Sequence, residues 1–413
     1  MTYVVVGTGE AGVHAALALR ANGYAGALLM IGEEPHVPYT RPPLSKSVLT
    51  SAEPSLPAIR SGSQLSELRI DVRTGVRVVR IDPAQRRVTC SDGADLGYAK
   101  LVLATGARAR RLQVPGMDSA QFQYLRTFDD AISLKSRLRP GADICLVGGG
   151  YIGLEIAASA VQCGCRVTVV ESAPEIMSRV VAPEVAGFFR QLHEAHGVGI
   201  RTGARIVSAE RRGERIEIAC HGSEPIGADL VVAGVGAEPC TELAEEAGLA
   251  VDNGIVVDEY GRSSDPDILA CGDVANHPNR ILGRRLRLES WQNAQQQATV
   301  VGAALAAGTA RPYASVPWFW SDQHDVNLQM IGCPVRWDDV VMRGDPGERS
   351  FTAVYLHRGA VVAGNAINRP KDIPPIRSAI EKGLVPQREI LADSSVPLVQ
   401  AFRAAKRSIE DVT

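Results

Sequence analysis

An α/β protein with two parallel-sheet units and a C-terminal α+β domain carrying an antiparallel sheet is what this sequence predicts, on three observations. Short apolar runs bounded by glycine, each followed by an Ala- and Leu-rich helical stretch, recur through the first three quarters of the chain. A glycine-rich turn appears twice, beginning at Gly7 and at Gly148, as internal duplication of one nucleotide-binding unit would give. The C-terminal quarter then changes period, to short alternating strands separated by tight turns.

The composition narrows the function classes. A chain of 413 residues with 45% hydrophobic and 22% charged residues is long enough for two or three globular domains. The net charge of -2 gives no overall pull toward nucleic acid or an anionic membrane, so any charge-driven partner must use a local patch. Eight cysteines, at 90, 145, 163, 165, 220, 240, 271 and 333, form no CxxC pair and are too sparse for a secreted disulfide framework. A cytoplasmic protein is expected, with no targeting segment before the first strand. The longest apolar stretches, such as residues 300–307, fall short of the roughly 20 residues a membrane span needs.

The first unit opens with an apolar strand at residues 3–6 and the turn Gly7-Thr8-Gly9-Glu10-Ala11-Gly12. In a dinucleotide-binding turn Gly7 makes the tight bend, Gly9 admits the pyrophosphate and Gly12 lets the helix pack closely, with the helix N-terminus facing the phosphates. Residues 28–31 form the next strand, and Glu33 follows it, where an adenine ribose needs an acceptor. Leu103-Ala104-Thr105-Gly106 ends another strand, and Ile268-Leu269-Ala270-Cys271-Gly272-Asp273 ends a third, placing the Asp273 carboxylate at a strand's C-terminal edge.

The second unit repeats the design after a strand at residues 143–147. Gly148-Gly149-Gly150-Tyr151-Ile152-Gly153 follows the strand, and Glu171 ends the next strand at residues 167–170. A carboxylate there accepts ribose hydroxyls and repels a 2′-phosphate, so NADH is favoured over NADPH; Arg179 is expected to be solvated. Both units are therefore expected to be Rossmann-like dinucleotide-binding domains. In the last unit, residues 326–331, 340–343, 351–357 and 360–365 read as antiparallel strands, with Arg358-Gly359 as a hairpin turn. A helix starting near Pro374 and a final helix over residues 397–408 are expected to cover the sheet.

Taken with Pro38-Tyr39-Thr40-Arg41-Pro42-Pro43-Leu44-Ser45-Lys46, the Leu154-Glu155 that follows the second turn, Glu289-Ser290-Trp291-Gln292-Asn293-Ala294 and Pro317-Trp318-Phe319-Trp320-Ser321-Asp322, these segments resemble the FAD-dependent NADH:ferredoxin reductases of oxygenase systems along the whole chain. The resemblance implies a glutathione-reductase-like arrangement: residues 1–110 and 234–311 as a discontinuous FAD-binding domain, 111–233 as the NAD-binding domain and 312–413 as the C-terminal α+β domain. It implies FAD on Gly7, Gly9, Gly12, Glu33, Arg41, Lys46, Ala104, Thr105, Gly106, Gly272, Asp273, Glu289, Ser290 and Trp291. It implies NAD on Gly148, Gly150, Ile152, Gly153, Glu155, Glu171 and Gly236. Lys46 is expected near flavin N5 with Glu155, on the first turn of the second helix, as its ionic partner and as a contact for the nicotinamide carboxamide. Trp320 is expected either to cover the flavin edge or to serve as packing. The helix beginning at residues 289–297 would stabilise a reduced, negatively charged flavin through its N–H groups and dipole.

Electrons are expected to leave singly to a 2Fe-2S ferredoxin that feeds a Rieske-type or haem-thiolate oxygenase. Arg108, Arg110 and Arg111, with Arg284, Arg285 and Arg287, are either solvated runs or the surface that steers an acidic ferredoxin. The sequence departs from the family pattern at Thr40, where Asp commonly stands, and at Glu10, an acid inside the first phosphate loop. Where related disulfide reductases carry a redox cysteine, this chain has Pro42, Pro43, Leu44 and Ser45, so no thiol relay is expected. A disulfide or peroxide reductase of the same fold, an NADH oxidase, and a redox-sensing binding protein like apoptosis-inducing factor remain as alternatives. No metal site is expected: His193 and His196 read as solvated polarity on a helix face, and Cys163 and Cys165 point to opposite sides of a strand entry. A monomer or weak dimer is expected.

Overall fold

The computed structural model describes residues 2–307 and 311–407. The chain divides into two compact units, one formed by Met1–Thr40, Leu56–Arg108 and Glu238–Pro317, the other by Arg41–Ser55, Ala109–Ala237 and Trp318–Thr413.

In the first unit five parallel strands lie in the order Ile268–Ala270, Lys100–Leu103, Thr2–Val6, Ala27–Ile31, Ile70–Arg73. Alternation along the strands sorts their side chains to two faces. Val4, Val6, Leu101, Leu103, Ile268 and Ala270 face one core. Val5, Val102, Leu269, Leu28 and Met30 face another, with Ala15, Ala16 and Leu19 of the helix Glu10–Ala21 and Ala298 and Val301 of the helix Trp291–Ala307. Both faces are covered, which is why these strands read as continuous apolar runs. The two helices approach closely at Gly302, where a Cβ would come 2.6 Å from the Ala15 carbonyl oxygen.

The second unit holds a parallel sheet in the order Gly199–Arg201, Arg166–Val170, Asp143–Val147, Leu230–Ala233. An antiparallel sheet of Ile206–Arg212, Arg215–Cys220 and Ile226–Ala228 shares its core, where Cys145, Val147, Val231 and Ala233 pack with Ile216 and Ile218. The same unit contains a five-stranded antiparallel sheet in the order Trp318–Gln323, Val326–Gly332, Ala360–Ile367, Ser350–His357, Asp339–Asp345. Arg358 and Gly359 join two of these strands with φ of 49° and 79°, the left-handed pair a two-residue hairpin turn requires.

Helix Ile373–Glu381 buries Ile373, Ile376, Ala379 and Ile380. Its fit against the sheet depends on Gly364, where a Cβ would come 2.8 Å from Ile376 Cδ1. Among the described residues Arg343 is the largest fully buried side chain; its guanidinium donates to the carbonyl oxygens of Leu391 and Val396, so backbone acceptors solvate the charge. The final helix is shorter than its apolar pattern suggested: it spans Leu398–Arg403, and Lys406–Arg407 then pairs as a strand with Leu384–Val385. It buries Leu398, Ala401 and Phe402, and Arg403 and Ala404 beyond them are exposed. Residue 408, the expected end of that helix, lies outside the described residues.

Candidate functional site

Two loops, one in each unit, have the same construction. Strand Thr2–Val6 ends at Gly7, with φ +112°, where a Cβ would fall 2.2 Å from the Ala104 carbonyl oxygen. Strand Asp143–Val147 ends at Gly148, with φ +107°, where a Cβ would fall 2.4 Å from the Gly234 carbonyl oxygen. Helix entry needs glycine again: a Cβ on Gly12 would lie 2.0 Å from the Gly7 carbonyl oxygen, and one on Gly153 would lie 2.3 Å from that of Gly148. The middle glycines differ in kind, because a Cβ on Gly9 or Gly150 meets nothing within 4 Å. Each is the N-cap of its helix and offers the first-turn N–H groups no side-chain acceptor. Open space above uncapped N–H donors, at the positive end of a helix, fits a dinucleotide pyrophosphate in both loops.

The surroundings of the two loops diverge. Around the first, the Ala104 carbonyl and Gly272 close the floor; Gly272 has φ +80° and comes so near Ala11 that a Cβ would lie 2.7 Å from the alanine Cβ. Its N–H donates to Gln297 Oε1 at 2.8 Å. Asp273 follows in the short helical turn Gly272–Val274, half-buried, and Thr105 Oγ1 donates to the Cys240 carbonyl at 2.8 Å. Gly106 has φ +69°. Ser290 caps the helix Trp291–Ala307, its hydroxyl accepting from Asn293 N–H at 3.2 Å, while Glu289 pairs with Arg287. Trp291 is exposed. Glu10 turns to the side: burial raises its pKa, but hydrogen bonds from His14, Gln295 and Thr40 outweigh that and hold it below the usual carboxylate range. Its Oε1 is held by Gln295 and His14, while its buried Oε2 has no hydrogen-bond partner among the described residues.

The acids that follow the second strands also differ. Glu171 is buried; its Oε2 accepts from Gly149 N–H at 2.7 Å and its Oε1 from Ala173 N–H at 2.8 Å, so it braces the second loop. In the first unit the residue at the matching place is Gly32, since Gly7 N–H bonds to Ile31 just as Gly148 N–H bonds to Val170. A Cβ on Gly32 would lie 2.1 Å from Thr8 Oγ1. Glu33 comes one residue later, with its side chain 70% exposed and 3.9 Å from Arg77. Gly236, with φ +104°, borders open space in the second unit, and Ile152 is held exposed on the first helical turn beside Gly150. Arg179 is exposed.

A buried polar cluster lies within the second unit. Lys46 Nζ is 2.6 Å from Glu155 Oε2, which also accepts from Ser45 Oγ at 2.5 Å; Glu155 Oε1 accepts from Ser321 Oγ at 2.7 Å. Glu155 is the fifth residue of helix Tyr151–Gln162 and so sits on its second turn, not the first, which sends its side chain inward while the first turn faces the cradle. Pro42 and Pro43 set the short helical turn Pro42–Ser45, which turns Ser45 and Lys46 toward that helix, and Lys46 also donates to the Pro42 carbonyl at 3.2 Å. Ser45 is tied further by Ser159, whose hydroxyl donates to the Ser45 carbonyl at 2.7 Å. Strand Trp318–Gln323 supplies the rest through its period of two: Trp318 and Trp320 stack at 5.2 Å on one face, while Phe319, Ser321 and Gln323 point the other way. Phe319 packs on Tyr151 at 5.0 Å. Arg41 donates to the Arg126 carbonyl.

Sequence reasoning missed Ser45 and Ser321 as partners of Glu155, although both stand inside the quoted segments; the alternation along residues 318–323 was the usable signal. It was wrong about the histidine pair. His193 is fully buried, because helix Pro183–Ala195 packs its Val185, Phe189 and Leu192 face inward and carries His193 with it. Burial drives its pKa down to about 4. His196 stacks on His324 at 3.8 Å. Among the described residues no group of three His, Cys, Asp or Glu could hold a metal, and no disulfide is formed. Cys163 Sγ is directed to the Leu49 carbonyl and Cys165 Sγ to that of Arg139.

The arginine runs are partly consumed internally. Arg108 pairs with Glu238 and Glu242, Arg285 donates to the carbonyls of Val257 and Asn276, and Arg287 donates to the Asp273 carbonyl and pairs with Glu289. Arg110 and Arg111 are exposed, with Arg111 over the Tyr124 ring at 4.3 Å. Arg284 is half-exposed. No helix among the described residues is long and apolar enough to cross a membrane.

Comparison with known proteins agrees with this geometry. Residues 1–298 match the family model described as pyridine nucleotide-disulphide oxidoreductase, and residues 318–402 match the reductase C-terminal model. The chain is 38% identical over 413 residues to putidaredoxin reductase of Pseudomonas putida, covering 98% of each chain. It is 42% identical over 400 residues to the ferredoxin–NAD(+) reductase component of the anthranilate 1,2-dioxygenase system of Burkholderia cepacia, covering 96% of this chain and 98% of that one. Among solved structures, the covalent putidaredoxin reductase–putidaredoxin complex superposes with a TM-score of 0.93 at 37% identity, over 98% of both chains. With both glycine loops intact and similarity running the length of the chain, the protein belongs to the pyridine nucleotide-disulphide oxidoreductase family, among the ferredoxin reductases of oxygenase systems.

Proposed function

We propose that this protein is an NADH-dependent, FAD-containing reductase that passes electrons one at a time to a 2Fe-2S ferredoxin serving a Rieske-type or haem-thiolate oxygenase. The observation that carries the reading is the pair of equivalent glycine cradles, each with open space over an uncapped helix N-terminus, in a chain that matches ferredoxin reductases from end to end. Bound FAD supplies the conversion of a two-electron donor into single-electron steps.

The chain's own residues divide the work. Gly7, Gly9, Gly12, Ala104, Thr105, Gly106, Gly272 and Asp273 hold FAD, with Glu33 near the ribose and Arg41, Glu289, Ser290 and Trp291 completing the site. Gly148, Gly150, Ile152, Gly153, Glu171 and Gly236 hold NADH; the Glu171 carboxylate accepts ribose hydroxyls and repels the 2′-phosphate of NADPH. Lys46 and Glu155 orient the nicotinamide against the flavin, and pairing with the buried Glu155 carboxylate holds the partly exposed lysine ammonium. Trp320, stacked on Trp318, covers the flavin edge.

Exposed Arg110 and Arg111 steer an acidic ferredoxin. Arg284, half-exposed in the first unit, is a second candidate for that steering, whereas Arg108, Arg285 and Arg287 are already paired within their own unit. The protein works in the cytoplasm as a monomer or weak dimer, without nucleic acid or membrane as partner. The test is anaerobic mixing with NADH or NADPH, followed by an oxidised 2Fe-2S ferredoxin. Faster flavin bleaching with NADH and subsequent ferredoxin reduction is expected; electrons passing only to oxygen, peroxide or disulfides would overturn it. Asp273→Ala should lower FAD retention, and unchanged flavin content would remove Asp273 from the site.

A further inference from the structure

The Glu155 carboxylate fixes the direction of a hydrogen-bond chain that runs well beyond the residues already assigned. Ser321 has one hydroxyl proton, and with Oγ 2.7 Å from Glu155 Oε1 that proton is committed to the carboxylate. Ser321 Oγ must then accept from Gln323, whose Nε2 lies 3.0 Å away, which sets the amide orientation. Gln323 Oε1 is left facing His193 Nε2 at 2.9 Å, so His193 carries its proton on Nε2. His193 Nδ1 is thereby an acceptor, 3.1 Å from His324 Nε2, which must donate. Four donors in series, from His324 to Ser321, point one way and end on the carboxylate.

The fold gives this chain its rigidity. Ser321 and Gln323 share one face of strand Trp318–Gln323, His324 follows in the hairpin turn with φ +54°, and His193 comes from helix Pro183–Ala195. Ser321, Gln323 and His193 are each fully buried, so water does not compete for their protons. Burial also keeps His193 and His324 neutral, as a one-donor, one-acceptor relay requires.

We propose that Gln323 and His193 are positioning residues that hold Ser321 and Glu155 in one orientation, and through them Lys46, for reduction of the flavin by NADH. This rests on the reading of Lys46 and Glu155 given above, which assigns nothing to Gln323, His193 or His324. The chain's members do not touch substrate; they act by leaving Glu155 a single way to be satisfied.

The test compares flavin reduction by NADH, followed by anaerobic stopped-flow absorbance, in FAD-loaded His193→Phe, His193→Gln, Gln323→Glu and Glu155→Gln proteins. His193→Phe removes the donor to Gln323 and should slow reduction at saturating NADH about tenfold, because a positioning error acts on the rate, while the NADH dissociation constant changes less than about twofold. His193→Gln keeps an N–H at that reach and should recover most of the rate. Gln323→Glu keeps the volume but takes the Ser321 proton away from Glu155, so it should slow reduction at least as much; it carries the test if His193→Phe fails to fold. Rates within about twofold of the native protein for both His193→Phe and Gln323→Glu, with Glu155→Gln slowed, would overturn the inference alone. A Glu155→Gln protein that reduces at the native rate would remove the role of the Lys46–Glu155 pair, and the inference with it.

Discussion

The two glycine loops share a backbone and exchange their side chains. In the second unit the loop contributes Gly149, whose missing Cβ leaves room for Ile176 and the Glu171 Cβ, and the strand end contributes the Glu171 carboxylate that accepts from the loop N–H. In the first unit the loop contributes Thr8 and the strand end contributes Gly32, with the acid displaced to the exposed Glu33. One contact between loop and strand end can be filled from either side but not from both. The swap leaves an anionic, buried acceptor beside one cradle and a neutral contact beside the other. The loop backbone is thus the same in both units while the strand ends differ.

The comparison breaks most severely where both loops need glycine. Gly12→Ala and Gly153→Ala each put a Cβ within 2.3 Å of a carbonyl oxygen or closer, and each should cost about 3 kcal/mol of stability, read from urea midpoints. A midpoint equal to the native one for either variant would show that its loop relaxes freely.

The halves are alike in a second respect, since each buries a histidine. Burial pulls His193 in one and His277 in the other down to about 4. The unfolded chain takes up these protons near pH 6.5 and the folded one near 4. Their contribution is therefore complete above about pH 6.5 and is lost as pH falls toward 4, by on the order of 2 kcal/mol per site. Urea unfolding at pH 7 and pH 4.5 checks this, and His277→Phe should flatten the slope by its own share. A protein as stable at pH 4.5 as at pH 7 would contradict it.

The acids sharpen the contrast at smaller cost. Glu171→Ala should weaken NADH binding about tenfold, close to 1.4 kcal/mol, and weaken NADPH less; Glu33→Ala should change FAD affinity by less than about twofold. Equal effects on NADH and NADPH would sink the ribose assignment. Smallest of all is Arg108→Ala, where loss of exposed pairs with Glu238 and Glu242 should cost at most about 0.5 kcal/mol.

What the sequence disclosed follows from how local each signal is. Both cradles were legible because strand, glycine spacing and helix fall within a few residues, and the hairpin at Arg358-Gly359 because a turn is a property of two residues. The Lys46–Glu155 pair could be named only through the resemblance, since its partners stand 109 residues apart. Ser45, Ser321 and Gln323 went unassigned, and His193 was placed in solvent, because a polar residue on a helix or strand looks the same whether its face meets water or another polar face. Gly32 was passed over for Glu33 because an acid after a strand is the conspicuous residue, while the glycine's meaning lies in the Thr8 side chain pressed against it.

The most direct measurement uses the two glycines that the protein itself does not require. Gly9→Ala and Gly150→Ala proteins, purified in parallel, are compared for bound FAD per chain and for the NADH dissociation constant. Since neither Cβ meets protein within 4 Å, both should fold, with Gly9→Ala losing FAD and Gly150→Ala keeping its full FAD while binding NADH weakly. Loss of FAD from Gly150→Ala with retention in Gly9→Ala, or the same loss in both, would contradict the assignment of one cofactor to each cradle.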